Sequence, residues 1–281
     1  MRIPSSGGIE LAAFELAGEQ GTPLLFSHAT GFHGRCYQPM ADALSDVARS
    51  VAFDYRGHGD TPTPARAPSV AIDWQRYGDD ATAMATWLAE QSGEPIVAFG
   101  HSMGGCCLLM AAHRDPSLFR RIVVFEPIVF PPSDEVLGEF ESPMVAGARR
   151  RRTSFSSSEE AIANFASKPP LNAFAPEALA AYVRHGFAQD GEGSVHLKCL
   201  PQTEADTFAA GAMHDTWARL PEIRTDVLVI SGRPQEMSPS MIAAQIAERL
   251  PNGTYRQRDD LDHFGPMTHP GECAAIVRAQ L

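Results

Sequence analysis

Basic charge is in short supply in this chain. Its 23 Lys and Arg face 34 Asp and Glu, for a formal net charge of −11. That balance excludes the electrostatic footprint of a nucleic-acid partner. The single basic run, Arg149 to Arg152, is short and isolated and reads as a solvated face. No uninterrupted apolar run approaches the length needed to span a bilayer, so no membrane partner is expected. Met1 to Gly8 show no apolar h-region, so no secretory signal is visible. The five cysteines are odd in number and lack C-x-x-C spacing, which reads as free thiols in a reducing, cytoplasmic setting. No His/Cys/Asp cluster has metal-ligand spacing, and there is no G-x-G-x-x-G or P-loop, so neither metal nor cofactor is expected. Internal repeats and low-complexity tracts are absent as well.

What is present is alternation of short apolar runs with helical patterns. Strand character is read at Ile9–Leu16, Pro23–Ser27, Ser50–Asp54, Pro95–Phe99 and Arg121–Phe125. Between them come a helix on Met40, Leu44 and Val47, and a longer one capped by Asp73 with Tyr77, Ala81, Met84 and Leu88 on one face. The Asp79-Asp80 pair early in that helix suits its dipole. Such alternation implies right-handed crossovers and a mostly parallel twisted sheet with helices on both faces, an α/β fold. Ligands then bind beyond the carboxyl ends of the strands. From Ile128 to Leu220 the order breaks: helical patterns at Glu159–Ala166, Pro176–Phe187 and Glu204–His214, with no clear buried strand. About 90 residues is too long for an ordinary crossover, so 128–220 is expected to be an inserted helical cap. It divides a core of residues 1–127 and 221–281, which resumes with Asp226–Ile230, a helix bearing Ile242, Ile246 and Leu250, a strand near Thr254–Arg258, and a last helix from Pro270.

The most informative stretch is Pro95-Ile-Val-Ala-Phe-Gly-His-Ser-Met-Gly-Gly105. A buried strand runs into a sharp turn and then a helix from Cys106 to His113. A serine at such a tip needs strained backbone and no bulk two residues either side, and the helix start offers N–H groups to developing negative charge. This G-x-S-x-G elbow resembles that of the α/β-hydrolase superfamily, in which the serine is the nucleophile. The resemblance implies Ser102 as nucleophile and His263 as base, the latter in Leu261-Asp-His-Phe-Gly-Pro266 near the end of the chain, in the family's Ser…acid…His order. It also implies two oxyanion donors: the N–H of Met103, and one from the loop His28-Ala-Thr-Gly-Phe32, for which Thr30 is chosen by counting from His28, with Ala29 and Gly31 as the alternatives. Ala29 departs from the family's usual His-Gly. His28 is read as an anchor of that loop, His58 as part of a structural turn in Arg56-Gly-His-Gly59, and His101 and His113 as packing or surface residues. Asp54 and Arg56 are read as fixing the turn after their strand.

The triad acid is the open position. The family's usual Asp is missing from Gly232-Arg-Pro-Gln-Glu-Met-Ser-Pro239. Asp226 starts its strand, on the wrong edge of the sheet. Glu126 ends a strand amid apolar sequence, Val123-Val-Phe-Glu-Pro-Ile-Val-Phe130, where a carboxylate needs a partner. Glu126-Pro-Ile also resembles the acid motif of certain haloalkane dehalogenases. Glu126 is preferred, with Glu236 as the alternative and Asp262, adjacent to His263, a remoter one. Phe32, Phe130, Phe140, Met144 and Trp217 are candidate walls of a substrate pocket between core and cap.

The expected function is hydrolysis of small to medium hydrophobic carboxylic esters through an acyl-enzyme on Ser102, without a cofactor, by a monomer or homodimer. Serine at the elbow argues against dehalogenase and epoxide-hydrolase chemistry. It leaves lactonase, carbon–carbon hydrolase, acyltransferase and perhydrolase chemistry open, as well as a non-catalytic ligand-binding member of the fold.

Overall fold

The computed structural model describes residues 1–63, 72–132, 142–236 and 238–281. Strands β1 (Arg2–Pro4), β2 (Glu10–Ala17), β3 (Thr22–Ser27), β4 (Ala48–Phe53), β5 (Ile96–His101) and β6 (Phe119–Phe125) precede a long excursion. Three short strands lie within it: β7 (Ser154–Phe155), β8 (Phe187–Gln189) and β9 (Val195–Leu197). Afterwards come β10 (Val227–Ser231) and β11 (Gly253–Gln257). The main sheet has the order β1-β2-β4-β3-β5-β6-β10-β11. Only the β1–β2 and β2–β4 pairings are antiparallel; from β4 to β11 every pairing is parallel.

The helices of the sheet layers are α1 (Gln38–Asp42), α2 (Trp74–Ser92) and α3 (Met103–Arg114). The excursion contributes α4 (Pro143–Arg149), α5 (Ser158–Ala166), α6 (Pro176–Gly186), α7 (Pro201–Ala209) and α8 (Thr216–Arg219). Then follow α9 (Ala243–Arg249), α10 (Gly265–Thr268) and α11 (Pro270–Arg278). No helix among the described residues is long and apolar enough to cross a membrane.

Alternate residues along the strands feed two cores, as a strand period of two requires. Leu25, Val51, Ala98, Val124 and Val229 pack with α2, α3 and α9 on one face. Leu24, Phe26, Ala52, Phe99, Val123 and Ile230 pack on the other with α1 and α11. That second core continues into the excursion through Phe155, Phe174, Leu179, Tyr182, Phe187 and Val195. All five cysteines are free and buried, Cys106 and Cys107 within α3 against the first core.

The structure departs from the expectations in four places. The expected helix on Met40, Leu44 and Val47 stops at Asp42, because the chain turns back toward β4 through Leu44 N–H···O Ala41 and Val47 N–H···O Leu44 bonds. The N-terminal strand β1 went unread, three residues being too few for a visible alternation. The excursion is not wholly helical: β7, β9 and β8 form a small antiparallel sheet of strands likewise too short to show a period. Asp80 serves a buried ion pair rather than the helix dipole, its carboxylate taking Arg56 Nη2 at 2.5 Å and Nε at 2.8 Å.

Registers place the chemistry. Ser27 is level with Gly100, His101 with Phe125, and Phe125 with Ile230. The residues leaving the carboxyl ends of β3, β5, β6 and β10 therefore meet at one edge: His28–Phe32, Ser102, Glu126 and Gly232.

Candidate active site

The turn between β5 and α3 is built on absent side chains. A Cβ on Gly104 would fall 2.2 Å from the Ser27 carbonyl oxygen, and one on Gly100 would fall 2.7 Å from Gly105 Cα. Without those glycines α3 could not lie so close to β3 and β5. Ser102, between them, is forced to φ 57° and ψ −118°. Its N–H donates to Phe125 O at 2.9 Å and its C=O accepts from Cys106 and Ile128, which hold the strained conformation.

Glu126 has φ 45°, and with Ser102 it makes up the positive-φ non-glycine residues among those described. Two strained residues side by side at the ends of adjacent strands mark the place where the fold spends stability on geometry. The Glu126 side chain is fully buried. Oε1 accepts the Gly232 N–H at 2.8 Å, and Oε2 lies 2.7 Å from His263 Nδ1. A carboxylate accepts, so Nδ1 carries a proton, and it is Nε2 that bears the lone pair whenever the ring holds a single proton. The expected pairing of a buried carboxylate with His263 is thus what the structure contains. Glu236 is exposed, Asp262 Oδ1 is engaged by the Phe264 N–H, and Asp226 pairs with Arg121 at the opposite edge.

His101, which precedes Ser102 in the chain, has its ring centroid 5.0 Å from that of His263. Among the described residues no hydrogen bond joins the Ser102 hydroxyl to His263; the imidazole's one side-chain bond is to Glu126. Met103 opens α3, and no side-chain cap covers the first N–H groups of that helix. In the facing loop, Phe32 N–H donates to Ala29 O and Gly31 has φ 77°, a turn of type II with Thr30 at its second position. Among the described residues no hydrogen bond takes the Thr30 N–H, whereas the Ala29 N–H donates to Tyr37 Oη at 3.3 Å. That difference favours Thr30 over Ala29 as an oxyanion donor.

His28 is the loop anchor expected: Nε2 accepts the Tyr55 N–H at 2.9 Å, so Nδ1–H donates to Ala29 O at 2.8 Å. His58 is buried, with Nδ1 on Arg56 O. Asp54 receives the N–H groups of Gly34 and Asp60, which fixes the turn as read, and burial pushes its carboxyl up to about 6. His113 is a surface partner of Glu222. His101 is more than packing: it is completely buried and bonded to Tyr37 Oη and His263 O.

Of the expected pocket walls among the described residues, Phe32 joins the site. Its ring lies 5.4 Å from Tyr182, 6.0 Å from Phe174 and 6.4 Å from both Phe264 and His101. Trp217 is a correction: it lies beneath the Arg249 guanidinium, 4.8 Å from its ring, and packs with the first core beside α3. Phe130 and Met144 are exposed and take no part in the aromatic group, and Phe140 lies outside the described residues. Phe174 and Tyr182 carry no local signal of a wall residue, and Phe264, next to His263, is marked in the sequence only by the histidine beside it.

The basic run is a solvated face at Arg149, Arg150 and Arg152, which are exposed, and departs from that reading at one residue. Arg151 is drawn inside, with Nη1 2.5 Å from Glu204 Oε2 and Nη2 bonded to Tyr182 Oη, while Arg152 covers Phe155 and pairs with Glu160. Glu204 presses on the loop of residues 28–32, its Oε1 2.5 Å from where a Gly31 Cβ would stand.

Comparison with known proteins agrees with this fold. The model of the Alpha/beta hydrolase family matches residues 24–276. The chain is 25% identical over 270 residues to Lipase LipV of Mycobacterium tuberculosis, covering 92% of each chain. It is 27% identical over 243 residues to 2-(acetamidomethylene)succinate hydrolase of Mesorhizobium japonicum, covering 86% of this chain and 78% of the relative. A solved structure of E-2-(acetamidomethylene)succinate hydrolase superposes with a TM-score of 0.75 at 20% identity, covering 99% and 97% of the two chains; at that identity the likeness speaks for the fold.

Proposed function

We propose, for a chain that belongs to the α/β-hydrolase family, that it is a serine hydrolase cleaving carboxylic esters with small to medium hydrophobic groups. The observation that carries the proposal is the buried Glu126 carboxylate bonded to His263 Nδ1, at the end of the strand next to the one that ends in the strained Ser102. A hydroxyl is a poor nucleophile until a base takes its proton, and His263 Nε2 is left free to do so.

In this reading the Ser102 Oγ–H swings onto His263 Nε2 as substrate enters, a tightening that resting geometries commonly leave incomplete. Oγ attacks the carbonyl carbon, the proton passes to Nε2, and the carbonyl π electrons move to oxygen. The N–H groups of Met103 and Thr30 receive that oxyanion, each donor worth about 3 kcal/mol of transition-state stabilisation. Collapse re-forms the carbonyl and breaks the C–O bond to the alcohol, which leaves with the proton from Nε2. Water repeats the sequence on the acyl-enzyme and returns Ser102. Glu126 fixes the tautomer throughout and stabilises the imidazolium without itself accepting the proton. The segment between β6 and β10 acts as a cap, and Phe32, Phe174 and Phe264 give an apolar side to the pocket. No cofactor enters the scheme, and a cytoplasmic monomer or homodimer suits it.

The test is turnover of a short p-nitrophenyl ester by the purified protein, with Ser102→Ala expected to lower kcat by at least about 10³-fold. Turnover unaffected by that change overturns the proposal, and an inert wild-type protein favours a ligand-binding member of the fold.

A further inference from the structure

We propose that Tyr37 and His101 are positioning residues that tie the loop of Thr30 to the loop of His263, holding oxyanion donors and base at one fixed separation. The inference rests on the serine-hydrolase reading above.

Three contacts form one chain. The Ala29 N–H donates to Tyr37 Oη at 3.3 Å, Tyr37 Oη lies 2.9 Å from His101 Nδ1, and His101 Nε2 lies 2.8 Å from the His263 carbonyl oxygen. The chemistry dictates every proton. A carbonyl only accepts, so His101 carries its hydrogen on Nε2, and in the neutral ring Nδ1 must then accept. Tyr37 therefore donates its single proton to Nδ1 and keeps a lone pair for Ala29. Burial drives the His101 pKa well below its ordinary value, which keeps the ring neutral and the directions fixed.

Neither ring has room to turn. Tyr37 and His101 are fully buried. The Tyr37 ring is 5.9 Å from Phe26 and 6.1 Å from Phe99, and His101 stands edge-on to Phe125 at 5.8 Å. What the chain joins gives it meaning. Ala29 precedes the Thr30 donor, His101 precedes Ser102, and the acceptor is the backbone of His263 itself. Three unlike segments that must agree on one geometry are linked by hydrogen bonds whose removal leaves buried polar groups unpaired. Displacing a reacting group by about 1 Å costs on the order of 10²-fold in rate.

The experiment compares wild type with Tyr37→Phe, His101→Leu, His101→Gln and the Tyr37→Phe/His101→Leu double variant. The readouts are kcat and KM on p-nitrophenyl acetate, the melting temperature, and the rate at which Ser102 displaces fluoride from a fluorophosphonate. Tyr37→Phe is expected to lower kcat and the labelling rate by about 10- to 100-fold, with KM within about threefold. His101→Leu should do the same, while His101→Gln, which keeps one donor and one acceptor, should recover most of the rate. The double variant should be no slower than the worse single, because both break one chain.

Tyr37→Phe within about twofold of wild type in both rates overturns the inference. So do losses that multiply in the double variant, and a His101→Gln protein no faster than His101→Leu. Should Tyr37→Phe fail to fold, the Gln–Leu comparison decides alone. A wild type inert toward both ester and fluorophosphonate overturns the hydrolase reading and this one together, whereas an active wild type with an indifferent Tyr37→Phe overturns only the link.

Discussion

The two edges of the main sheet treat polar groups in opposite ways. At the amino edge Arg121 and Asp226 meet at 3.3 Å with side chains 39% and 52% exposed, and Arg120 reaches the Leu281 carbonyl in solvent. At the carboxyl edge Ser27, His28, His101 and Glu126 are all completely buried, and each has named partners. Exposed pairs are screened and contribute little, while a buried charge stripped of its partner is expensive. The first edge tolerates replacement. The second is a set of groups each defined by its neighbour, which is what a site for bond-breaking needs and what mere solubility does not.

Substitutions that break this contrast should rank in order. Glu126→Gln keeps the shape but offers Nδ1 an amide in place of a carboxylate, and kcat should fall by about 10³-fold or more, against less than about twofold for Glu236→Gln; steady-state kinetics on the same ester decides. The reverse order would move the acid to Glu236. Gly104→Ala drives a methyl group into the Ser27 carbonyl, and urea denaturation should show a loss of about 3 kcal/mol, with activity falling as α3 is displaced.

Acid should act through the same edge. Burial lowers the pKa of His33 to about 3 and of His58 to about 4, from an ordinary 6.5. With folded values depressed, the unfolded chain binds protons first, so their contribution is whole above pH 6.5 and is lost as pH falls toward those values. Asp54 runs the other way: its value raised to about 6 means the folded state gains from protonation, an offset that grows as pH falls from 6 toward the ordinary carboxylate range. Two histidines outweigh one carboxyl, so denaturant midpoints should drop between pH 6.5 and 4, and a folded His33→Gln variant should flatten that slope by up to about 1.4 kcal/mol per pH unit. The smallest effect belongs to the amino edge. Asp226→Asn should change stability by less than about 0.5 kcal/mol in the same urea titration, and a larger loss would blunt the contrast between the edges.

The parts of this arrangement legible in the sequence are those with a period or a forced backbone. Buried parallel strands are continuous apolar runs, so β3, β5, β6 and β10 could be read to within a residue or two, and the glycines around Ser102 announced their turn. Glu126 was visible because a lone carboxylate in Val123-Val-Phe-Glu-Pro-Ile-Val-Phe130 demands a partner. Short elements escaped, since two or three residues of β7, β8 or β9 carry no alternation. So did contacts made across the insertion. Nothing local distinguishes Trp217, which packs beside α3, from Phe174, which joins the site, because the difference lies in how distant segments are brought together. His101 packs in the core as its sequence suggests, but its hydrogen bonds are invisible there for the same reason: its partners Tyr37 and His263 lie 64 and 162 positions away.

One consequence of the second hydrophobic core concerns how this architecture can be re-engineered. Phe155, Tyr182 and Phe187, from the segment between β6 and β10, share a single apolar layer with Phe99, Phe125 and Met267 of the sheet and its helices. That segment is thus no detachable module. Transplanting one from a relative would import half of a jigsaw cut to a different outline, and the recipient would have to be repacked beneath it before any new selectivity emerged.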